Sequence, residues 1–390
     1  MSANPRPLEG VRVIDFSNLL PGPLATLILA EAGAEVLKIE RPGRGDELRD
    51  YQPQLRGASV GFALLNRGKR SLALDLKDSA ARARLEPLLA GAAVLVEQFR
   101  PGVMDRLGLG YAAVRELNPR IVYCSLTGYG QSGPKAGVAG HDLNYVADTG
   151  LLALAGAGAE GAPAIPPGLI ADIGGGALPA VINILLALRR ADATGAGCHL
   201  DVAMTDNLFA WQWWAQALLA SGRASRPGGE LLTGGSPRFQ VYATADGRCV
   251  AAAPLEERFW QRFCTLIGLP EALREQRADP AAACDAVAAI IAGRPAEHWR
   301  RRFEGEDCCC NVVASLEEAL ADSHFRERGL FAAQLEAGGQ HLPALPVPLA
   351  PELRPPPDAQ SAPALGEAAA LLGVQSETAA LSAPPPWRRR

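Results

Sequence analysis

Short apolar runs alternate with longer apolar stretches along the first half of the chain, and the alternation predicts strands and helices in turn. Val11-Arg12-Val13-Ile14-Asp15-Phe16 reads as a strand. Pro21-Gly22-Pro23 breaks it and opens an apolar helix over 24–32, closed by Gly33. Val36-Leu37-Lys38-Ile39-Glu40 is the next strand. The chain therefore opens β-α-β, a parallel pair with a right-handed crossover. Further strands are predicted at 71–76, 93–97 and 121–126, with a helix over 80–89 and a short one after Arg100-Pro101-Gly102. This order predicts a Rossmann-like, doubly wound α/β domain. No GxGxxG follows the first strand, so the dinucleotide fingerprint is missing.

The pattern then changes. A glycine-punctuated loop at 128–134 leads into Gly140-His141-Asp142-Leu143-Asn144-Tyr145, and a Gly/Ala/Pro loop spans 155–168. A strongly apolar helix is predicted over 177–190, a strand at 200–202, and a helix whose Trp211, Trp213 and Trp214 serve packing. Residues 221–237, rich in Gly, Ser, Arg and Pro, read as a linker. Beyond them, 239–242 and 249–252 form a hairpin through Ala245-Asp246-Gly247, followed by helices near 256–266, 280–291 and 295–304. The expected layout is a large α/β domain (1–200), a linker helix and loop (201–237), a smaller α+β domain (238–320) and a return segment with a tail (321–390). In it, 341–357 packs back on the first domain and 384–390 is disordered.

Composition narrows the function. With 390 residues the chain can build more than one large core. A net charge of −4 argues against general nucleic-acid binding. The N-terminus lacks the apolar centre of a secretory signal, and the apolar runs near 182–188 and 208–219 are too short or too polar to cross a membrane. None of the eight cysteines forms a CxxC pair. The adjacent Cys308-Cys309-Cys310 cannot give tetrahedral metal geometry, so no metal is expected and the thiols suit a cytoplasmic protein.

Two stretches carry candidate chemistry. His141 follows a glycine where a helix can begin, and Asp172 stands before Gly174-Gly175-Gly176 and an apolar helix. Each puts a proton-transfer group near a helix N-terminus, where backbone N–H groups favour developing negative charge. The competing local reading is that His141 and Asp142 cap one helix and Asp172 caps the other. His199, His298, His324 and His341 read as structural or exposed.

Several motifs together resemble the family III CoA-transferases: residues 8–15, Pro21-Gly22-Pro23, 32–36, 68–77, Arg100-Pro101-Gly102-Val103 and 128–134. The resemblance runs from about 8 to 335. Within that superfamily the 140–145 stretch resembles the α-methylacyl-CoA racemase branch. That branch implies His141 and Asp172 as the two catalytic bases and Glu256 as a supporting acid that could fix the His141 tautomer. In the transferase branch the aspartate at the Asp172 position is instead the acyl-accepting nucleophile, and the motif histidine is normally absent.

The resemblance also implies an interlocked homodimer of two-domain subunits and an acyl-CoA substrate, with no separate cofactor. Matching CoA-binding positions are Arg41, Leu74, Asp75, Leu76, Lys77 and Arg100, with Gly140 and Tyr145 beside the catalytic histidine. Arg41, Lys77 and Arg100 are cations expected at the C-terminal ends of strands, suited to the phosphates of CoA. Gly168 and Thr233 depart from the racemase pattern, which usually has Asn and Asp there. The expected reaction is two-base epimerisation of a 2-methylacyl-CoA through an enolate. Its rivals are CoA transfer through Asp172 and non-catalytic acyl-CoA binding.

Overall fold

The computed structural model describes residues 6–156, 162–275, 279–356 and 358–372. The predicted tail at 384–390 lies outside them. The described residues divide into two compact units. One comprises residues up to 146, 168–209 and those from 324 onward; the other comprises 147–167 and 210–323.

The first unit is built on β1 (Arg12–Asp15), β2 (Glu35–Glu40), β3 (Arg70–Ala73), β4 (Val94–Glu97), β5 (Val122–Thr127) and β6 (Cys198–Ala203). Their order across the sheet is β3-β2-β1-β4-β5-β6, and every neighbouring pair is parallel. The strand order thus reverses between β1 and β4. In such sheets ligands bind beyond the strand C-termini at that switch point. Ile14, Leu37, Leu72, Leu95 and Tyr123 join Leu85, Leu89, Met104 and Val114 in one core cluster.

The helix after β1, α1 (Pro21–Glu31), is buried along its whole length. A helix apolar on all sides has to be enclosed. Glu31 is its one charge, and Arg67 answers it at 2.9 Å while donating to the Leu64 and Leu345 carbonyls at 2.7 Å each.

The predicted helix over 80–89 is two short helices, Ser79–Ala83 and Glu86–Ala90, because Pro87 has no N–H to continue the first. The strand predicted at 71–76 ends at Ala73.

The second unit contains an antiparallel sheet of β7 (Gln240–Ala243), β8 (Cys249–Ala252) and β9 (Cys310–Val312), with β8 central. Helices Glu257–Ile267, Pro280–Ala292 and Ala296–Phe303 close over it. Trp260, Phe263, Val287, Trp299 and Val250 fill the core.

The domain boundaries differ from those expected. Residues 147–167 leave the large α/β unit: Gln212 Nε2 donates to the Thr149 carbonyl at 3.0 Å, and Gly228 N–H to the Leu154 carbonyl at 3.2 Å. The segment 201–237 is no separate linker, since it divides after Phe209. Its first residues complete β6, whose ladder to β5 runs through Ala203.

Residues 334–361 form a third small sheet of β10 (Gln334–Ala337), β11 (Gln340–Pro343) and β12 (Gln360–Ser361). Leu335 is fully buried with Ala63 and Ala344. Gly68 N–H donates to the Ser361 carbonyl at 3.1 Å and Ala368 N–H to the Ser71 carbonyl at 2.8 Å. These bonds attach the return segment to the sheet unit.

Candidate active site

The turn after β1 is held from beneath by charge. Lys69 Nζ donates to the Pro23 carbonyl (2.9 Å), Thr26 Oγ1 (2.8 Å) and Asn66 Oδ1 (2.9 Å), and pairs with Asp15 Oδ2 at 3.3 Å. Lys38 Nζ donates to the Ser17 carbonyl at 2.7 Å and pairs with Asp46 at 2.9 Å. All four side chains are fully buried, two basic against two acidic; burial pulls the Lys69 ammonium down to about 7, and Asp15 beside it opposes that fall. Above them Gly22 N–H donates to Gln98 Oε1 at 3.0 Å, joining the loops that follow β1 and β4. A Cβ at Gly22 would stand 2.2 Å from Ser17 Cβ, so only glycine fits this approach.

Arg41, Lys77 and Arg100 are exposed residues just beyond the C-termini of β2, β3 and β4. Because those strands are parallel, the three cations fall on one edge of the sheet. Asp75 Oδ1 accepts the Lys77 N–H at 2.9 Å and shapes the turn, Leu74 is buried, and the Leu76 carbonyl accepts from Arg82 Nη1 at 2.6 Å.

His141 precedes the helix α2 (Asp142–Asp148), and its carbonyl accepts the Asn144 and Tyr145 N–H groups at 2.9 and 3.2 Å. Asn144 Oδ1 returns to accept the His141 N–H at 3.0 Å, half of a capping box. The backbone of His141 is thereby fixed while its imidazole stays exposed. Tyr145 is buried, packs edge-to-face on Tyr129 at 5.2 Å, and donates its hydroxyl to the Gly140 carbonyl. A Cβ at Gly128 or Gly140 would meet the Tyr145 ring at 2.3 and 2.7 Å, so the two glycines form the slot for that ring.

Asp172 is not an N-cap. It sits in the first turn of a π-helix, Ala171–Ala177, that continues into the α-helix Leu178–Thr194. A π-turn inside a helix is rare and is often associated with functional sites. Gly175 and Gly176 permit it: a Cβ on Gly175 would come within 2.5 Å of the Met204 carbonyl oxygen. Asn207 Nδ2 donates to the Gly175 carbonyl at 2.8 Å and supports the turn.

Asp142 does not cap its own helix as expected. Its Oδ1 accepts the Asp172 backbone N–H at 2.9 Å, which ties the His141 segment to the Asp172 segment. Burial pushes the Asp172 carboxyl up to about 6, the negative Asp142 adds to the rise, and His141 opposes it. The imidazole is thus within electrostatic reach of that carboxyl. Burial also raises the Tyr145 phenol, reinforced by Asp172 and opposed by Arg100.

The structure therefore brings together His141, Asp172, Gly140 and Tyr145, with Arg100 in range. Glu256 lies in the second unit, exposed, at the N-cap of the helix Glu257–Ile267 with no side-chain capping bond. Gly168 faces open space, and Thr233 Oγ1 accepts the Glu230 N–H at 3.0 Å within its own loop. Sequence reasoning missed Gln98, Asn144, Asn207 and the bond from Asp142. Only Asn144, three residues after His141, carried a local signal. Among the described residues no group of His, Cys, Asp and Glu side chains is placed to hold a metal ion.

The sequence profile of CoA-transferase family III matches residues 8–369. Alpha-methylacyl-CoA racemase from Mus musculus is 37% identical over 368 residues, covering 92% of this chain and 91% of that protein. Acetyl-CoA:oxalate CoA-transferase from Acetobacter aceti is 33% identical over 384 residues, covering 94% and 95%. The crystal structure of a CaiB/BaiF family protein from Brucella suis superposes with a TM-score of 0.80 at 27% identity, covering 95% of this chain and 99% of that one.

Proposed function

This chain belongs to CoA-transferase family III, and from that premise we propose that it interconverts the R and S epimers of a 2-methylacyl-CoA thioester. The observation that carries the reading is the pairing of an exposed imidazole, His141, with a carboxyl raised to about 6, Asp172, on two segments joined through Asp142. The 37% identity to a racemase supports it.

Removing the proton α to a thioester needs a base in contact and donors at the developing enolate oxygen. His141 takes the proton from one face, and Asp172, as the carboxylic acid, delivers one to the other. With a value near 6, about a tenth of Asp172 is protonated at pH 7. The roles reverse for the opposite epimer. Arg41, Lys77 and Arg100 hold the CoA phosphates. The assembly is a homodimer acting in the cytoplasm.

CoA transfer is the second reading, kept open by the 33% identity to an acetyl-CoA:oxalate CoA-transferase. There the Asp172 carboxylate attacks the thioester, forming a mixed anhydride and releasing CoA thiolate; the acceptor carboxylate displaces the donor acid from that anhydride, and the thiolate then attacks the acceptor acyl carbon, giving the new thioester and freeing Asp172. Incubating one epimer of a 2-methylacyl-CoA in D2O separates the two. Racemisation introduces α-deuterium with loss of configuration and fails in His141→Ala and in Asp172→Ala. If no deuterium enters, while CoA moves to added oxalate with only Asp172 required, the racemase reading is wrong.

A further inference from the structure

The second unit holds a feature that neither proton transfer nor CoA binding uses. Cys308 is fully buried, Cys309 is exposed and Cys310 is half-buried at the start of β9. Cys309 has φ +52°, the left-handed region that a non-glycine residue enters at a cost of about 1–2 kcal/mol. Its carbonyl accepts the Ala253 N–H at 3.0 Å, which holds it there.

This conformation matters for its neighbours. In an extended strand residues i and i+2 share a face, with Cα atoms about 6.6 Å apart, near the upper limit for a disulfide. A left-handed residue between them breaks the extension and draws the two ends together. Cys310 Sγ accordingly lies 3.2 Å from the Cys308 carbonyl oxygen. The two side chains act on one another: Cys310 holds Cys308 below the ordinary thiol range, and Cys308 together with burial holds Cys310 above it. Among the described cysteines the other resolved shifts, at Cys124, Cys264, Cys284 and Cys309, are upward, each chiefly from burial. Cys309 itself lies within electrostatic reach of Glu256.

We propose that Cys308 and Cys310 form a reversible oxidation site, closing to an intrachain disulfide across the left-handed Cys309 when a hydroperoxide reaches them. The thiolate of the pair attacks one peroxide oxygen; the S–O bond forms as O–O breaks, and the departing hydroxide takes the proton of the second thiol and becomes water. The second sulfur then attacks the sulfenic sulfur. The S–S bond forms, S–O breaks, and hydroxide leaves as a second water with one solvent proton. Two thiols lose two electrons and the peroxide gains them.

The test uses the full chain, reduced, then treated with one equivalent of hydrogen peroxide, denatured and alkylated with iodoacetamide. The expected product has two fewer alkylated cysteines, mapped to the peptide containing 308–310, and dithiothreitol restores both. Cys308→Ser and Cys310→Ser each abolish the loss of two thiols, whereas Cys309→Ser keeps it. Full alkylation after peroxide, or a lost pair that maps elsewhere or survives in Cys308→Ser and Cys310→Ser, overturns the proposal. A Cys309→Gly variant, which relieves the backbone without touching either thiol, checks folding independently and should still form the disulfide.

Discussion

Asp15, at the end of β1, and Asp172, in the π-helix, are both withdrawn from solvent, yet their carboxyls are displaced in opposite directions. Burial alone would raise Asp15, but Lys69, Lys38, Ser17 and Thr26 outweigh it and hold the group below its ordinary value. Its oxygens accept from Ser17 N–H at 2.8 Å and Thr26 Oγ1 at 2.6 Å. Around Asp172 the balance is reversed: burial is reinforced by a second carboxylate, Asp142. What separates a carboxyl held ionised from one able to titrate near neutrality here is the charge of the neighbours rather than the depth of burial. The first arrangement stabilises the fold around the β1 turn. The second leaves a carboxyl able to change its proton near neutral pH, which catalysis requires and stability does not.

The sharpest way to break the comparison is Asp172→Asn, which keeps the shape and removes the titrating proton. Deuterium incorporation into a 2-methylacyl-CoA should fall on the order of 10²–10⁴-fold, read by mass spectrometry. A group raised in the folded state contributes its stability below its unfolded value, near 3.8, and loses it as pH climbs through about 6. The variant should therefore lose that slope and be no less stable than the parent at pH 8 in urea unfolding.

Asp15→Asn should do the opposite. It leaves the buried Lys69 without its carboxylate, while Lys38 keeps Asp46, and should cost about 3–5 kcal/mol of folding stability, seen as a lower urea midpoint. Gly175→Ala tests the π-turn, since its Cβ would press on the Met204 carbonyl. Overpacking of this kind costs about 1–3 kcal/mol, and turnover should fall further than stability because Asp172 moves with the turn. Asp142→Asn gives the smallest and most informative effect. With the like charge gone, the Asp172 carboxyl drops toward its ordinary range, and the limb of the pH–rate profile near 6 moves to lower pH. An unmoved limb would mean that Asp142 only positions the backbone.

Much of this architecture was legible from local pattern. The six parallel strands follow from apolar runs bounded by Gly and Pro, and α1 from an unbroken apolar stretch behind Pro21-Gly22-Pro23. The candidate bases followed from His141 after a glycine and Asp172 before three. The roles of Asp142 and Asp172 as caps were misread, because capping is the short-range option for Asp, and a partner thirty residues away overrode it. The boundary near 200 was misread for a related reason. The Gly/Ala/Pro composition of 155–168 reads only as a loop; that 147–167 belong with the second unit is defined by hydrogen bonds to residues 212 and 228.

The amino-acid order therefore determined by itself the strand–helix alternation, the family and the residue types available for proton transfer, since all three depend on spacing within a few dozen residues. Tertiary structure alone decided the strand order with its reversal between β1 and β4, the opposite displacements of Asp15 and Asp172, and the π-turn braced by Met204 and Asn207. Each depends on which distant groups share a low-dielectric neighbourhood. That is a property of packing, and no local pattern encodes it.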